Sequence, residues 1–255
     1  MITPPRLRAA LASLALLLVA VAHAGPPFVT DDPEPVEYGH WEINSAATGL
    51  HTGTGTTAFA PQIDANYGAA PGVQLHVMPQ LAYSRPGGEP GAGRAYGVGD
   101  TEFGVKIRFA DATGPAGEWM LSMYPLYQAP TGNARRGLGA GAPSVSLPFW
   151  LQWSGGGWTT YGGGGYWIDS GAGRRNAWAG GWLALYQFTP GLQLGGEVFA
   201  RTADTVGARG SAGFNVGGTY DLSDEAALLF SAGRGIANAS NTNEAAWYLG
   251  LRITR

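Results

Sequence analysis

Residues 99–109 of the 255-residue chain read Gly-Asp-Thr-Glu-Phe-Gly-Val-Lys-Ile-Arg-Phe, and this stretch decides the fold. One set of alternate positions is Thr101, Phe103, Val105, Ile107 and Phe109, and the other is Asp100, Glu102, Gly104, Lys106 and Arg108. Successive side chains of a β-strand point to opposite faces, so a strand here has one apolar face and one charged face. A helix would scatter the same charges around its whole circumference. The pattern therefore predicts a strand.

The same two-residue alternation recurs from residue 40 to the end of the chain and predicts twelve strands. The segments that carry it are 41–44, 59–67, 73–83, 99–109, 119–128, 144–153, 158–168, 177–188, 192–201, 210–220, 226–234 and 247–254. Several of the later segments alternate less clearly, because Gly and Trp occur at both sets of positions.

The lengths of the connections alternate as well. Those after the even-numbered strands are short, namely 70–72, 111–117, 154–157, 189–191 and 221–225. Most of those after the odd-numbered strands are longer and rich in Gly, Asn and Arg, as in 84–96, 129–143, 170–175 and 235–244. Short turns at one rim and long loops at the other are typical of outer-membrane barrels, in which the short turns are periplasmic. The sequence predicts an all-β fold: a transmembrane, antiparallel, up-and-down β-barrel of about twelve strands over residues 40–255, with both mature termini in the periplasm.

The composition favours a surface that faces lipid. Only 13% of the residues are charged, whereas the chain has 9 Trp, 11 Tyr and 9 Phe. The alternative all-β fold is a secreted β-sandwich, which needs a more highly charged surface and has no reason to sort its loops by length. In lipid, a closed barrel satisfies every backbone polar group.

The amino terminus has the features of a cleaved signal peptide over residues 1–24. Arg6 and Arg8 precede the apolar run 9–22, and Ala22-His23-Ala24 forms a small-x-small cleavage site, so the mature chain is expected to begin at Gly25. No later apolar run is long enough for a transmembrane helix. The chain has no cysteine, which excludes disulfides and Cys-based zinc sites.

Residues 25–39 are expected to be a periplasmic segment that leads into the barrel. Their acidic residues Asp31, Asp32, Glu34 and Glu37 could suggest calcium, but the spacing is not that of an EF-hand and the prolines favour an extended, solvated segment. Without the signal peptide, 13 basic residues stand against 18 acidic ones, and this mild acidity argues against a nucleic-acid partner. We expect neither a metal nor a cofactor.

The charged strand positions are the candidate functional residues, because a charge on the lipid face is costly and should turn inward. The lumen-lining candidates are Glu42, Asp64, His76, Asp100, Glu102, Lys106, Arg108, Glu197, Arg201 and Arg252. They could line a narrow polar pore, or they could pair with each other and fill the lumen. The near balance of signs favours pairing. Because the first and last strands meet when the barrel closes, Glu42 and Arg252 are predicted to form a salt bridge across the seam.

An enzyme is the rival class, since some twelve-stranded barrels are phospholipases that use Ser, His and Asn. The mature chain has only His40, His51 and His76, and none lies beside a His-x-Ser-Asn-Gly run. No nucleophile, base and orienting group are singled out by the sequence. The sequence therefore argues against an enzyme.

Three stretches resemble a known family. They are Phe28-Val29-Thr30-Asp31-Asp32-Pro33 followed by Gly39-His40-Trp41-Glu42-Ile43, then Gly97-Val98-Gly99-Asp100-Thr101-Glu102-Phe103-Gly104-Val105-Lys106, then Pro130-Thr131-Gly132-Asn133 with Gly137-Leu138-Gly139. Together they resemble the outer-membrane, transporter-like family named for a MetA pathway of phenol degradation. One departure is the carboxyl end, Ile253-Thr254-Arg255, where barrels of this kind usually end in an aromatic residue that assists assembly.

The resemblance implies a passive outer-membrane channel for small solutes, with aromatic or apolar ones as candidates. The expected partners are outer-membrane lipid and the solute itself. The alternative is a non-conducting barrel with a structural or interaction role carried by its long loops.

Overall fold

The computed structural model describes residues 26–87 and 93–255, in which a single antiparallel sheet closes on itself. Its strands are β1 (Trp41–Thr52), β2 (Gly55–Ala70), β3 (Val73–Met78), β4 (Gln80–Pro86), β5 (Ala95–Val98), β6 (Thr101–Gly114), β7 (Gly117–Met123), β8 (Leu126–Ala129), β9 (Ser144–Gly155), β10 (Trp158–Asp169), β11 (Ala177–Thr189), β12 (Leu192–Arg201), β13 (Ser211–Ser223), β14 (Ala226–Ala237) and β15 (Ala245–Thr254). Strand β1 pairs with both β2 and β15, which closes the barrel. The predicted signal peptide lies outside the described residues.

The fifteen segments make twelve barrel strands, because three strands are interrupted: β3 continues as β4, β5 as β6, and β7 as β8. Pro79 and Pro125 stand at two of the breaks, since proline has no N–H to donate to the ladder. The ladder continues through their carbonyls, which accept hydrogen bonds from Ile63 N at 3.0 Å and Val105 N at 3.1 Å. The predicted fold class and strand number are confirmed.

The two faces of the wall differ as the alternation predicts. In β1, Trp41 is 46% exposed on the outer face, whereas Glu42 is 8% and Asn44 0% exposed. In β6, Phe103 is 45% exposed and Lys106 only 3%. The apolar side chains therefore face outward and the charged ones inward, as required of a barrel surrounded by lipid.

The two rims also differ. Turns of two residues at 71–72, 115–116, 156–157, 190–191 and 224–225 lie at one rim, and the connections 130–143, 170–176, 202–210 and 238–244 lie at the other. The first connection at the long-loop rim, residues 53–54, is a tight turn. A 3₁₀ turn, Ala134–Arg136, and a one-turn helix α1, Ala239–Thr242, lie in the long loops.

The two ends of the barrel meet at the short-turn rim. Trp41 N donates to Arg255 O at 2.6 Å, and Arg255 N donates to Trp41 O at 2.9 Å. Aromatic side chains pair near the same rim, with ring centroids 4.7 Å apart for Trp41 and Tyr67. Within residues 26–87 and 93–255, no helix has the length and hydropathy needed to cross a membrane.

Candidate functional site

A salt bridge joins the first and last strands inside the barrel. Arg252 Nε lies 3.3 Å from Glu42 Oε2, and it also donates to Asn44 Oδ1 at 3.0 Å. Asn44 faces Arg252 in the register of β1 and β15. The predicted seam salt bridge is confirmed, and it follows from the parity of the two strands together with closure.

The polar contacts continue along the inner wall away from the seam. Asn44 Nδ2 donates to Asp64 Oδ2 at 3.2 Å, and Asp64 Oδ1 lies 3.0 Å from His76 Nδ1. The other ring nitrogen of His76 lies 3.4 Å from Glu102 Oε1. Neighbouring strands thus bring the carboxylates of Glu42, Asp64 and Glu102 into contact with Arg252, Asn44 and His76. This agrees with the interpretation that the lumen charges pair internally.

The segment before the barrel lies inside the lumen, which differs from the expected solvated lead-in. Thr30 is 1% exposed and Asp32 0% exposed. We call residues 26–37 the plug segment. Of its four acids, Asp32 is buried because Lys106 of the barrel wall pairs with it, Asp31 and Glu34 are partly buried, and Glu37 is exposed.

Lys106 holds the acidic part of the plug segment. Its Nζ lies 3.1 Å from Asp31 Oδ1 and 3.3 Å from Asp32 Oδ1, and it is 3.5 Å from the Glu34 carbonyl oxygen. Burial raises the pKa of Asp32 well above its ordinary value, and the positive charge of Lys106 acts in the opposite direction. Lys106 is the one lysine of the chain, and both acids of its ion pairs come from the plug segment.

Glu197 holds the plug segment from the far side of the lumen. Its Oε1 accepts a hydrogen bond from Val29 N and its Oε2 accepts one from Thr30 N, both at 2.8 Å. Asn215 Nδ2 donates to Glu197 Oε1 at 2.6 Å and fixes the carboxylate. Lys106 and Glu197 belong to the fourth and ninth barrel strands, which are nearly opposite in the ring. The plug segment therefore crosses the lumen.

Further contacts hold both ends of the plug segment. Ser231 Oγ donates to Pro27 O at 2.6 Å, and Arg252 Nη2 donates to Pro26 O at 3.3 Å. At the other end, Val36 N donates to Gln74 Oε1 at 2.9 Å. These contacts are hydrogen bonds, so the segment can leave them without breaking a covalent bond.

Two glycines on the inner wall make room for the plug segment. A Cβ at Gly181 would collide with Thr30 Oγ1, and a Cβ at Gly68 would collide with Glu37 O. Glycine in a strand marks such close backbone approaches. The sequence alone does not single out these two residues, because glycine is frequent throughout the chain and only contact with the plug segment distinguishes them.

Open space remains on both sides of the plug segment. A cavity of about 780 Å³ lies at the short-turn rim, and its walls include Asp31, Glu34, Lys106 and Arg108. A smaller cavity of about 120 Å³ lies toward the long-loop rim, where Glu102, Trp167 and Arg201 line it. The guanidinium of Arg201 lies 5.7 Å from the centroid of the Trp167 ring.

Asp100 binds the long loop 130–143, a contact that its place in the alternating pattern did not predict. Its Oδ1 accepts a hydrogen bond from Gly132 N at 2.9 Å, and its Oδ2 accepts one from Ala140 N at 2.6 Å. The loop 130–143 packs against the wall through Leu138, which is 3% exposed and contacts Ala82 and Ala95. Asp100 therefore fixes this long loop.

Two of the ten predicted lumen-lining residues, Arg108 and Arg201, form ion pairs with an acid three residues further along the chain. Arg108 Nε lies 3.8 Å from Asp111, and Arg201 Nε lies 3.5 Å from Asp204. The side chains of both arginines remain about one-third exposed, at 32% and 34%. In the part of the chain that the structure describes, no three His, Asp or Glu side chains are grouped as metal ligands.

The comparisons with known proteins agree with this fold. The family model described as "Putative MetA-pathway of phenol degradation" matches residues 27–253. A COG4313 outer membrane channel from Pseudomonas putida F1 is similar in structure, with a TM-score of 0.69, 17% identity, and coverage of 88% of this chain and 97% of that chain. The NanC porin (TM-score 0.56) and the KdgM porin (TM-score 0.54) are each 8% identical, with 83% of this chain and 98% of theirs covered. The curated proteins gave no match. At these identities, the similar structures support the outer-membrane barrel fold.

Proposed function

The chain belongs to the family described as "Putative MetA-pathway of phenol degradation", and from this premise we propose that it is an outer-membrane channel through which small solutes diffuse passively. The observation that carries the proposal is a lumen lined by charged side chains and crossed by a segment that only noncovalent contacts hold. A barrel that served only as a rigid support would have no need of a displaceable segment. Passage requires no chemical step, no metal and no cofactor.

The plug segment sets the rate of passage in this proposal. The cavities of about 780 Å³ and 120 Å³ lie on either side of it, so a solute can enter from each rim. Continuous passage requires the plug segment to shift away from Lys106 or Glu197. The channel therefore conducts weakly until the segment moves.

The solutes that we propose are small, and they include aromatic or apolar molecules. The family description associates the group with phenol degradation, and phenol is a small aromatic molecule. Ion pairs that neutralise each other inside the wall, such as Glu42 with Arg252, leave less unpaired charge facing the solute.

The two barrel ends give the proposed orientation. Trp41 and Arg255 meet at the rim of the short turns, and short turns are periplasmic in outer-membrane barrels. We propose that both mature termini face the periplasm. An epitope fused to the carboxyl terminus should then be inaccessible to antibody in intact cells and become accessible after the outer membrane is permeabilised. Staining of intact cells would instead mean that the carboxyl terminus faces the outside of the cell.

The alternative is a non-conducting barrel that acts through its loops. The loop 130–143, which Asp100 holds, is the observation that favours it, because a fixed loop can present a surface to a partner. A conductance measurement distinguishes the two functions.

The experiment records single-channel currents in planar bilayers from three proteins. They are the mature chain, the same chain lacking residues 26–36, and the chain with Glu197→Gln. We expect small or rare currents from the unmodified chain, larger steady currents from the deletion, and an intermediate result from Glu197→Gln. If a correctly folded deletion variant carries no current, the barrel is non-conducting and the alternative stands.

A further inference from the structure

An apolar cluster lies on the inner wall of the barrel, where polar side chains are the rule, and we call it the apolar pocket because the Phe28 ring fills the space beside it. It is formed by Tyr161, Leu183 and Leu185, which are 0%, 0% and 3% exposed. The side chain of Phe28 in the plug segment packs against this group. An apolar surface inside the lumen is more stable when an apolar side chain or ligand covers it than when water does.

Polar contacts hold the backbone on both sides of Phe28. Ser231 donates to the carbonyl of Pro27 at 2.6 Å, and Glu197 accepts from the amide of Val29 at 2.8 Å. Leu183 lies directly opposite Glu197 in the register of β11 and β12. The pocket and the carboxylate that holds the plug segment are therefore neighbours on the inner wall.

We propose that this pocket is a binding site for one apolar ring of a small solute, such as a substituted benzene, and that Phe28 occupies it when no solute is bound. A solute ring and the Phe28 ring compete for the same surface of Leu183 and Leu185. Binding of the solute displaces Phe28 and weakens the hold of Glu197 on the segment. The role of this site in transport rests on the proposed channel function, whereas binding of the ring can be measured without any current.

Two physical properties favour a ring as the ligand. An engineered protein cavity lined by leucine, isoleucine and phenylalanine stays dry and binds benzene, and the space that Phe28 leaves on displacement would be lined by similar side chains. The Phe28 side chain is itself a single benzene ring on a methylene group, and the pocket accommodates it. The Phe28 ring that fills the pocket in this structure thus indicates the size and chemistry of the ligand.

Internal competition also predicts how affinity will change. A ligand whose site is open for only a fraction of the time binds with an apparent affinity reduced by that fraction. The variant Phe28→Ala removes the internal competitor but leaves the wall of the pocket unchanged. Benzyl alcohol should therefore bind Phe28→Ala at least about tenfold more tightly than it binds the unmodified chain.

A single cysteine reports the displacement of the plug segment, because the chain has no cysteine of its own. Thr30 is 1% exposed, so Thr30→Cys should react slowly with a water-soluble maleimide. Benzyl alcohol should raise that reaction rate several-fold in the full mature chain, whereas inositol, a polar ring of similar size, should leave it unchanged. An unchanged rate with benzyl alcohol, or an equal rise with inositol, would overturn the proposal.

A matched pair of leucine variants tests the location of the site. Leu183 and Leu229 are both 0% exposed, but only Leu183 belongs to the pocket. In a Phe28→Ala background, Leu183→Asn should abolish binding of fluorobenzyl alcohol measured by ¹⁹F NMR, and Leu229→Asn should retain it. Loss with both variants, while heat-modifiable migration shows a folded barrel, would place the ligand elsewhere and contradict the proposal.

Failure of this site and failure of the channel give different results. If the deletion of residues 26–36 conducts but benzyl alcohol binds nowhere near Leu183, the channel stands and the ring site is wrong. If benzyl alcohol releases Thr30→Cys but no variant carries current, the ring site stands and the channel is wrong.

Discussion

Arg252 and Glu42 form a buried ion pair at the seam, with Arg252 Nε 3.3 Å from Glu42 Oε2. The two residues are 3% and 8% exposed, and the same guanidinium nitrogen donates a hydrogen bond to Asn44 Oδ1 at 3.0 Å. The pair joins strands that are separated by almost the whole chain. Because closure brings these strands together, the ion pair forms only in the complete barrel.

We expect Glu42→Gln to destabilise the barrel by about 3 kcal/mol, because the change leaves Arg252 buried without its counter-charge. Urea unfolding in detergent micelles, followed by tryptophan fluorescence, measures this change in the free energy of unfolding. The matched control is Glu244→Gln, whose partner His51 lies 3.7 Å away in an exposed pair. An exposed pair contributes at most about 1 kcal/mol. Equal losses for the two variants would mean that the seam pair has no special role.

The seam pair could be predicted from the sequence because it depends on local rules. Alternation fixes which side chains of β1 and β15 face inward, and closure fixes that these strands are neighbours. Alternation likewise predicts Lys106 inside and Phe103 outside, where the structure has them. Strand positions are predictable where each strand's own pattern decides the outcome.

The plug segment could not be predicted in the same way. Residues 26–37 have no regular period, and their prolines and acids are typical of a solvated segment. Their partners are distant: Glu197 is 168 residues from Val29 along the chain, and Lys106 is 75 residues from Asp31. The available signal was a lysine predicted to face a lumen, together with adjacent acids near the amino terminus, and only the folded barrel brings them together.

Lys106→Met should release the plug segment. The change leaves Asp31 and Asp32 inside the lumen without their cation, at a cost of about 3 kcal/mol, which corresponds to roughly a hundredfold shift toward the displaced segment. Larger currents in planar bilayers are the expected result.

The control for that variant lies two residues further along the same inner face. Arg108 pairs with the exposed Asp111 at 3.8 Å, and its side chain is 32% exposed. Arg108→Met removes one positive charge from the cavity wall but leaves the ion pairs of the plug segment in place, so its currents should rise far less than those of Lys106→Met. Similar increases from both variants would indicate a general effect of charge on conductance and would contradict the specific role of Lys106.

Asp100→Ala should free the loop 130–143 from the wall. Both carboxylate oxygens of Asp100 accept backbone hydrogen bonds from this loop, so the variant leaves the amides of Gly132 and Ala140 without these acceptors. Trypsin should then cleave after the exposed Arg135 and Arg136 several-fold faster in the folded barrel.

Cleavage of the Asp111→Ala variant provides the comparison. Asp111 is exposed, and among the described ion pairs it contacts only Arg108 of its own strand, so the loop should remain as resistant as in the unmodified chain. If Asp100→Ala left the cleavage rate unchanged, the packing of Leu138 alone would be sufficient to hold the loop.

Gly181→Ala should disturb the plug segment without any change of charge. The added methyl group collides with Thr30 Oγ1 and would push Thr30 away from the wall. The amide of Val29 then loses its hydrogen bond to Glu197, so hydrogen exchange at this amide should become faster. In the double variant Gly181→Ala/Thr30→Gly, the smaller residue leaves room for the methyl group, and exchange should slow again. Because the glycine substitution removes the side chain that causes the collision, a failure of the double variant to recover would assign the effect to the strand pairing of β11 and β12 instead of to the plug segment.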